Sequence, residues 1–309
     1  MYIVRCTLYI VQYMRIFAIV MNPFIEKHKA YFNFNDFIRE AFAEDIGTAD
    51  HTTRATLTEN KTGKMHLLVK EEGVIAGVEA ARYIFADISD EIKFTEKIKD
   101  GAKVKKGDVV FTVEGSTAEL LTTERLILNI MQRMSGIATH THYLQSLCKG
   151  TKTKVIDTRK TTPLFRFFEK WAVVIGGGEN HRYGLFDMIL IKDNHIDFAG
   201  GITKVIDTAN KYLKEKELKL PIEVECRTIE DVKKVLTHGK VNRIMLDNFT
   251  PALVKEAVIL IKGKYETEAS GGITGKTIRD YALAGVDFIS VGALTHHVKS
   301  LDLSLKAIQ

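Results

Sequence analysis

The segment VIDTRKTTPLFRFFEKWAVVIGGGENHRYGLFDMILIKDNHI, residues 155–196, holds the pattern on which the fold prediction rests. Its first apolar residues, with Lys154 before them, form a short predicted strand that leads into DTRK at 157–160. A second predicted strand, Met188–Ile191, leads into KDNH at 192–195. Predicted strands that end in clustered charges are typical of an α/β barrel, whose active site lies at the carboxyl ends of its strands.

The chain continues the same alternation beyond this segment. Apolar strands alternate with helical segments such as 229–238, 251–262 and 276–284, which is typical of parallel βα units. Six units fall short of the eight in a TIM barrel. The six predicted strand ends are Ile156-Asp157, Ile191-Lys192, Val224-Glu225, Leu246-Asp247, Ala269-Ser270 and Val291-Gly292.

The first part of the chain predicts a strand-rich α+β unit with no catalytic cluster of its own. We expect Asn35 to cap a helix that ends near Gly47. Residues 65–69 and 109–113 predict strands, because both are apolar segments bounded by turn signals.

A long helix is predicted over residues 118–147, with a break near Gly136. Arg125 lies one turn from Leu121 and from Leu128, and therefore on the apolar side of this helix. An arginine in that place needs a partner or must extend to water. Periodicity alone leaves a structural salt bridge and a ligand-binding role equally open.

The composition is that of a globular protein with a mild positive charge. The chain has 309 residues, 45% of them apolar and 27% charged, and its net charge is +5. This charge is too small to indicate binding to nucleic acid, and no basic run interleaved with aromatic residues supports it. Cys6, Cys148 and Cys226 form neither a disulfide framework nor a metal-binding pattern, which favours a reducing, cytoplasmic location.

The first twenty residues are apolar but are interrupted by Arg5, Gln12 and Arg15. Interior arginines are costly in a membrane helix, and residues 17–21 form a poor signal-peptide cleavage site. We therefore expect residues 1–22 to be an extension outside the main fold, with no membrane partner. A membrane or packing role is the alternative.

The predicted strand ends supply cations that suit a polyanionic ligand. Arginine binds carboxylate or phosphate through two parallel hydrogen bonds, and each charge-assisted bond contributes about 1.5–3 kcal/mol. The cationic or potentially cationic residues are Arg159, Lys160, His181, Arg182 and Lys192.

Small residues at the later strand ends predict a site for a phosphate monoester. Glycines expose backbone N–H groups, and barrels commonly bind phosphate at their late strands. Ordinary βα turns are the alternative, since they also use paired glycines. The residues are Ser270, Gly271, Gly272 and Gly292.

Glu225 and Asp247 are single acids at adjacent predicted strand ends. Mg²⁺ is usually held by one or two carboxylates together with substrate phosphates. The two acids could also accept hydrogen bonds from ribose hydroxyls. A structural pairing with nearby lysines is the alternative.

Three motifs, DTRKT at 157–161, GGGENHR at 176–182 and LIKDNH at 190–195, resemble those of the quinolinate phosphoribosyltransferases, the carboxylating nicotinate-nucleotide pyrophosphorylases. The resemblance extends from about Phe34 onward and implies an α/β fold, an incomplete six-stranded α/β barrel with an N-terminal α+β sandwich domain. The implied divisions are an extension at 1–22, the N-terminal domain at 23–133, the barrel at 134–294 and a segment at 295–309 that packs back on the N-terminal domain.

The resemblance also implies a reaction in NAD biosynthesis. Quinolinate and phosphoribosyl pyrophosphate, with Mg²⁺ as cofactor, would give nicotinate mononucleotide, pyrophosphate and CO₂. The enzyme would be a homodimer, or a higher oligomer of dimers, with a shared active site. The segment TTERLILN at 122–129 resembles the one whose arginine, here Arg125, reaches a substrate carboxylate, often across the dimer interface.

The family's functional residues map onto matching positions of this chain. The implied catalytic residues are Lys160, Lys192, Glu225 and Asp247. The implied ligands of quinolinate are Arg125, Arg159, Lys160, His181 and Arg182, and Lys192 would contact both substrates. Thr158 is a further implied substrate-binding residue. Glu225 and Asp247 would face ribose and metal. The 5′-phosphate would be held by Ser270, Gly271, Gly272 and Gly292.

Two positions depart from the family's pattern. Leu164 stands where the family usually has glycine, and Val174 stands where it often has arginine or lysine. Neither change removes a residue with an implied role.

The nearest alternative function is that of a related phosphoribosyltransferase with a different pyridine or pyrimidine substrate. More distant alternatives are a Schiff-base aldolase that uses Lys192 and a non-catalytic anion-binding module.

Overall fold

The computed structural model describes residues 22–57 and 61–308 of the chain. The chain divides into two compact units, residues 1–50 and 51–309. The predicted extension, with Cys6, lies outside the described residues except for Asn22. Among the residues that are described, no helix has the length and apolar character needed to cross a membrane.

The first unit contains the described helices α1, Pro23–His28, and α2, Phe34–Ile46. The side chain of Asn33 accepts hydrogen bonds from two backbone N–H groups of the first turn of α2. The prediction of Asn35 as this cap is therefore wrong by two residues, because Asn33 offers the same side chain ahead of the first helical residue. Gly47 ends α2 as predicted, with a φ of 55°.

The second unit begins with a mostly antiparallel region. Its elements are α3 His51–Thr56, β1 Thr62–Val69, β2 Gly73–Val74, α4 Val78–Ile88, β3 Lys93–Glu96, β4 Lys103–Val104 and β5 Val109–Ser116. Alternate residues of β1 are buried, so one face of the sheet packs on the core.

The long helix α5, Thr117–Leu147, follows this region as one continuous helix of 31 residues. The predicted break at Gly136 is therefore wrong. A Cβ atom at Gly136 would lie 2.9 Å from the Lys299 carbonyl carbon and 3.0 Å from Ser300 Cα. The glycine lets the C-terminal segment cross the helix at close range.

The predicted apolar surroundings of Arg125 are also wrong, since both Arg125 and Leu121 are exposed.

The rest of the chain builds a six-stranded parallel sheet surrounded by helices. Its elements are β6 Lys154–Ile156, α6 Arg166–Ile175, β7 Ile189–Ile191, α7 Asp193–Ala199, α8 Ile202–Glu215, β8 Ile222–Cys226, α9 Ile229–His238, β9 Arg243–Asp247, α10 Pro251–Ile261, β10 Glu266–Ser270, α11 Ile278–Leu283, β11 Phe288–Ser290 and α12 Ala293–His296. All six predicted strands are present, and the strand order is β6-β11-β10-β9-β8-β7.

The barrel is open between β6 and β7. These strands are consecutive in the chain but form the two edges of the sheet. An isolated parallel bridge between Ile156 and Glu179 lies at the β6 edge, within the segment that connects β6 to β7. The predicted incomplete six-stranded barrel is confirmed.

The last strand, β12 at Leu303–Ala307, returns to the first sheet, whose order is β12-β1-β5-β3. It pairs antiparallel with β1, with Met65 opposite Ala307. The predicted domain boundaries along the chain remain a prediction.

Leu164, one of the two departures from the family's pattern, has a φ of 62°, in the left-handed region that favours glycine. Its side chain is 91% exposed. A side chain in this conformation costs about 1–2 kcal/mol. The departure therefore strains the turn without filling any space in the core.

The crossing at Gly136 predicts the effect of adding one methyl group. We expect Gly136→Ala to lower the free energy of unfolding by about 1–3 kcal/mol, because the added atom would overlap the Lys299 carbonyl. In an open helix interior the same change raises stability by about 1 kcal/mol. Urea unfolding of both proteins measures the difference. Unchanged or increased stability would contradict the close crossing.

Candidate active site

The carboxyl ends of the parallel strands meet at one rim of the barrel. Ser270 pairs in register with Asp247, Glu225 with Met245, and Ser290 with Ile156. Residues that follow each strand therefore lie at the same edge. The predicted site residues from all six strands come together there.

Two arginines form the anion-binding side of this rim. The Nε atom of Arg159 is buried and has no hydrogen-bond partner in the described residues. Burial lowers the pKa of the Arg182 guanidinium, and the positive charge of nearby Arg159 lowers it further. Arg182 Nη1 donates to the Met188 carbonyl at 3.1 Å. An unpaired buried donor beside a second guanidinium favours an anionic ligand.

Lys160 lies between the anion-binding side and the late strands. Its backbone N–H donates to Thr158 Oγ1 at 3.0 Å, and its carbonyl accepts from Thr295 Oγ1 at 2.9 Å. Its Cδ lies 3.0 Å from the place that a Cβ of Gly292 would occupy. The backbone of Lys160 is therefore fixed from two directions, while its exposed side chain runs past Gly292.

Lys192 is exposed at the end of β7, directly before α7. Its backbone N–H donates to His195 Nδ1 at 2.9 Å. Its charge acts on Glu225, whose pKa it lowers against larger opposing effects. The side-chain amines of Lys160 and Lys192 make no hydrogen bond or ion pair within the described part of the chain.

A polar cluster lies beneath the arginines and is formed by the buried Asp157 and Lys170 and the half-buried Asn180. Lys170 Nζ donates to Asp157 Oδ1 at 2.5 Å, and both side chains have no exposed surface. Asn180 Nδ2 donates to Asp157 Oδ2 at 2.6 Å. Lys170 is not among the residues predicted to form the site. The feature of the sequence that could have identified it is its position as a lysine within the apolar run of α6.

His181 is brought to the site, but its ring nitrogens are already engaged. Nε2 lies 2.8 Å from Glu223 Oε2 and 3.4 Å from Glu268 Oε2. Nδ1 accepts the backbone N–H of Arg182 at 2.7 Å. Burial lowers the pKa of His181, but the two glutamates outweigh it and raise the pKa to about 9. A pKa of about 9 describes a ring that could take a second proton, on Nδ1, but that proton would break the 2.7 Å hydrogen bond from the Arg182 N–H. While this hydrogen bond is in place, the ring is neutral and carries its proton on Nε2.

Glu225 and Asp247 form the acidic side of the rim. Burial raises the pKa of Glu225, and the negative charges of Asp247 and Asp193 raise it further. Asp247 accepts hydrogen bonds from Ser270 Oγ and from Asn248 Nδ2, the latter at 2.6 Å. A negative charge close enough to raise the pKa of Glu225 favours a cation between the two carboxylates, and their oxygen atoms suit Mg²⁺.

The late glycines adopt backbone conformations that other residues avoid. Gly271 has a φ of 99° and Gly272 a φ of 60°. A Cβ at Gly271 would collide with the side chain of Asn248, which itself has a φ of 57°. Asn248 therefore joins the acidic side to the glycine turn, a role that sequence reasoning missed.

His296 is a second residue that sequence reasoning missed. Its ring lies 3.2–3.3 Å from the place that a Cβ of Gly292 would occupy. The only sequence signal is its position four residues after Gly292, in the short helix α12.

Among the predicted site residues, Arg125 alone has no contact with this rim in the described part of the chain. It is exposed on α5 and makes no hydrogen bond or ion pair there. Arg133, about 12 Å further along the same helix at 1.5 Å per residue, instead contacts Thr162 and Glu169.

The comparisons agree with this architecture. The family model described as "Quinolinate phosphoribosyl transferase, N-terminal domain" matches residues 50–135, and that of the C-terminal domain matches residues 137–306. A solved nicotinate-nucleotide pyrophosphorylase from Francisella tularensis is 40% identical, with a TM-score of 0.83 over 89% of this chain and 96% of its own.

Curated relatives match along most of their length. A decarboxylating quinolinate phosphoribosyltransferase (1b) from Nicotiana tabacum is 43% identical over 93% of this chain and 86% of its own. A probable carboxylating nicotinate-nucleotide pyrophosphorylase from Bacillus subtilis is 40% identical over 85% of this chain and 90% of its own. With both domain models matched and relatives at least 40% identical over most of their length, the chain belongs to the quinolinate phosphoribosyltransferase family.

Proposed function

We propose that this protein transfers the phosphoribosyl group of phosphoribosyl pyrophosphate to quinolinate, with loss of CO₂, to give nicotinate mononucleotide and pyrophosphate. The observation that carries this proposal is the buried, unpartnered Nε of Arg159 beside Arg182. A buried donor without a partner costs about 1–3 kcal/mol, which a bound carboxylate would recover. The relatives are named for this reaction.

Quinolinate binds on the side of the arginines. Arg159 and Arg182 hold its carboxylates through charge-assisted hydrogen bonds. Lys160 and Lys192, whose amines have no partner in the described residues, supply further positive charge near both substrates. Thr158 contributes by fixing the Lys160 backbone.

The phosphoribosyl donor binds across the other half of the rim. The turn at Ser270, Gly271 and Gly272, together with Gly292, receives the 5′-phosphate on backbone N–H groups. Glu225 and Asp247 face the ribose hydroxyls and would hold Mg²⁺, in keeping with their oxygen donors and mutual repulsion.

The chemistry needs no covalent enzyme intermediate. The pyridine nitrogen attacks C1 of the ribose, and a C–N bond forms as the C–O bond to pyrophosphate breaks. Positive charge develops on the ribose, and Glu225 and Asp247 stabilise it electrostatically. Mg²⁺, when bound, neutralises charge on the leaving pyrophosphate. The resulting pyridinium ring accepts the electron pair released when the adjacent carboxylate leaves as CO₂, and a proton then replaces it.

Arg125 completes the quinolinate site from a second copy of the chain. Its exposure and lack of partners within the described residues suit a residue that reaches into a neighbouring subunit. The proposed assembly is a homodimer, or an oligomer of dimers.

A cytoplasmic location stays a prediction, because a plant relative is named as chloroplastic.

The substrate is tested with purified protein, phosphoribosyl pyrophosphate and Mg²⁺ in two parallel reactions. Quinolinate is expected to yield nicotinate mononucleotide and one CO₂ per product, whereas nicotinic acid yields none, because it lacks the second carboxylate that pairs with the arginines. Product from nicotinic acid alone would assign the protein to a different transferase activity. No product from either compound would favour the aldolase or the binding module.

Arg125 is tested by removing its side chain. Arg125→Ala is expected to raise the KM for quinolinate about tenfold to a hundredfold, the loss of one charge-assisted contact of about 1.5–3 kcal/mol. The KM for phosphoribosyl pyrophosphate should change less than about twofold. Equal losses for both substrates would contradict the assignment.

The shared site is tested by combining two impaired variants. Arg125→Ala and Lys192→Ala chains, co-expressed, form hybrid dimers in which one site has both native residues if Arg125 acts across the interface. Random assembly then restores about a quarter of the native sites. Absence of restoration, with hybrid dimers demonstrated by mass spectrometry, would place Arg125 and Lys192 in the same chain's site.

A further inference from the structure

Two buried glutamates lie beneath the rim and take no part in the proposed reaction. Glu223 of β8 and Glu268 of β10 each precede a predicted site residue, Glu225 or Ser270, by two positions. They therefore point to the same side of the strand as that residue. Both side chains have no exposed surface.

The two carboxylates converge on one ring nitrogen. Their Oε2 atoms lie 2.8 Å and 3.4 Å from His181 Nε2. Arg243 Nη1 lies 3.3 Å from Glu268 and balances part of the buried negative charge. The Nε2–H group therefore has its acceptors inside the barrel, and the ring is held by them.

The remaining polar groups of His181 are also used within the protein. Its backbone N–H donates to Asp157 Oδ1 at 2.9 Å, and its carbonyl accepts from Lys170 Nζ at 3.1 Å. Its Nδ1 accepts the Arg182 N–H at 2.7 Å. Only 5% of the side chain is exposed. No donor of His181 is left for a substrate carboxylate, and two buried carboxylates beside the ring would repel a third.

We infer that Glu223 and Glu268 are positioning residues that act through His181, fixing its ring so that Nδ1 holds the Arg182 backbone, and with it the Arg182 side chain, at the quinolinate site. The inference rests on the proposed function. It replaces the predicted direct contact of His181 with quinolinate by an indirect role.

Two substitutions test the roles of the two ring nitrogens of His181 one at a time. In His181→Asn, the side-chain oxygen occupies the position of Nδ1 and can accept the Arg182 N–H. In His181→Gln, the amide nitrogen occupies the position of Nε2 and can still donate to Glu223, but the Nδ1 acceptor is lost. We expect His181→Gln to lower kcat/KM for quinolinate about tenfold more than His181→Asn does. Equal losses, or a larger loss in His181→Asn, would overturn the inference, because the Nδ1 acceptor would then not be the group through which His181 acts.

A double-mutant cycle tests whether the effect passes through Arg182. If it does, His181→Gln should lower kcat/KM for quinolinate strongly in the native background and less than about twofold when Arg182→Ala is already present. The same factor in both backgrounds would show that His181 acts independently. A general structural defect would raise the KM for phosphoribosyl pyrophosphate as well, whereas a positioning role leaves it unchanged.

Glu223 is tested by rescue with a conservative side chain. Glu223→Ala removes the acceptor of Nε2–H and is expected to lower kcat/KM for quinolinate, whereas Glu223→Gln keeps an acceptor oxygen and restores most of it. Equal effects of the two substitutions would contradict the role of the hydrogen bond. Thermal unfolding of each variant shows whether it folds.

Nitrogen NMR of histidine-labelled protein tests the arrangement independently of turnover. The inference requires a proton on Nε2 and none on Nδ1 of His181, and a proton on Nδ1 would overturn it. If the native protein does not convert quinolinate, the proposed function is wrong, but the spectrum still tests the arrangement of His181. Native turnover with equal Asn and Gln effects would remove only the inference.

Discussion

The fully buried ion pair between Asp157 and Lys170 is the contact on which the anion-binding side of the site depends. Removing one member of such a pair costs about 3–5 kcal/mol, because the other charge stays buried without a partner. Asn180 and the backbone N–H of His181 satisfy the remaining acceptor sites of Asp157. The pair thereby joins the end of β6 to the loop before β7, at the side where the barrel has no continuous strand pairing. A hydrogen-bonded cluster thus takes the place of a missing strand ladder.

The barrel interior continues this polar character below the rim. TIM barrels usually fill their interior with layers of branched apolar residues. Here the layer beneath the predicted catalytic residues contains Glu223 and Glu268, with Arg243 beside them and its guanidinium 4.0 Å from the Phe288 ring centroid. Buried charges seldom add net stability relative to a well-packed apolar core. Their presence is better explained by the fixed orientation that they impose on His181, and through it on Arg182.

The six strands could be predicted from the sequence because apolar runs that end in charge have a strong local pattern. All six are present, with ends within two residues of the predicted ones: β8 runs on to Cys226, and β11 ends one residue early, at Ser290. Three features depended on contacts between distant segments. Gly136 looked like a helix break, but it accommodates the backbone at Lys299. Arg125 looked half-buried from periodicity, yet the described chain leaves it exposed. The side-chain direction of His181 depends on Glu223 and Glu268, which lie 42 and 87 positions further along the chain and which no local pattern connects to it.

The site suits a reaction that depends on positioning rather than on a nucleophile. Oriented bound reactants can supply about 7–11 kcal/mol of the barrier, and electrostatic stabilisation works best when its groups do not have to reorganise. The backbones of Arg159 and Arg182 belong to segments held by the Asp157–Lys170 cluster, and Asp247 is held by Ser270 and Asn248. The lysine amines, by contrast, remain without partners in the described chain. Groups held in place on both sides of the rim, together with two lysine amines that have no partner in the described residues, suit a reaction in which two anions must be brought to a fixed distance.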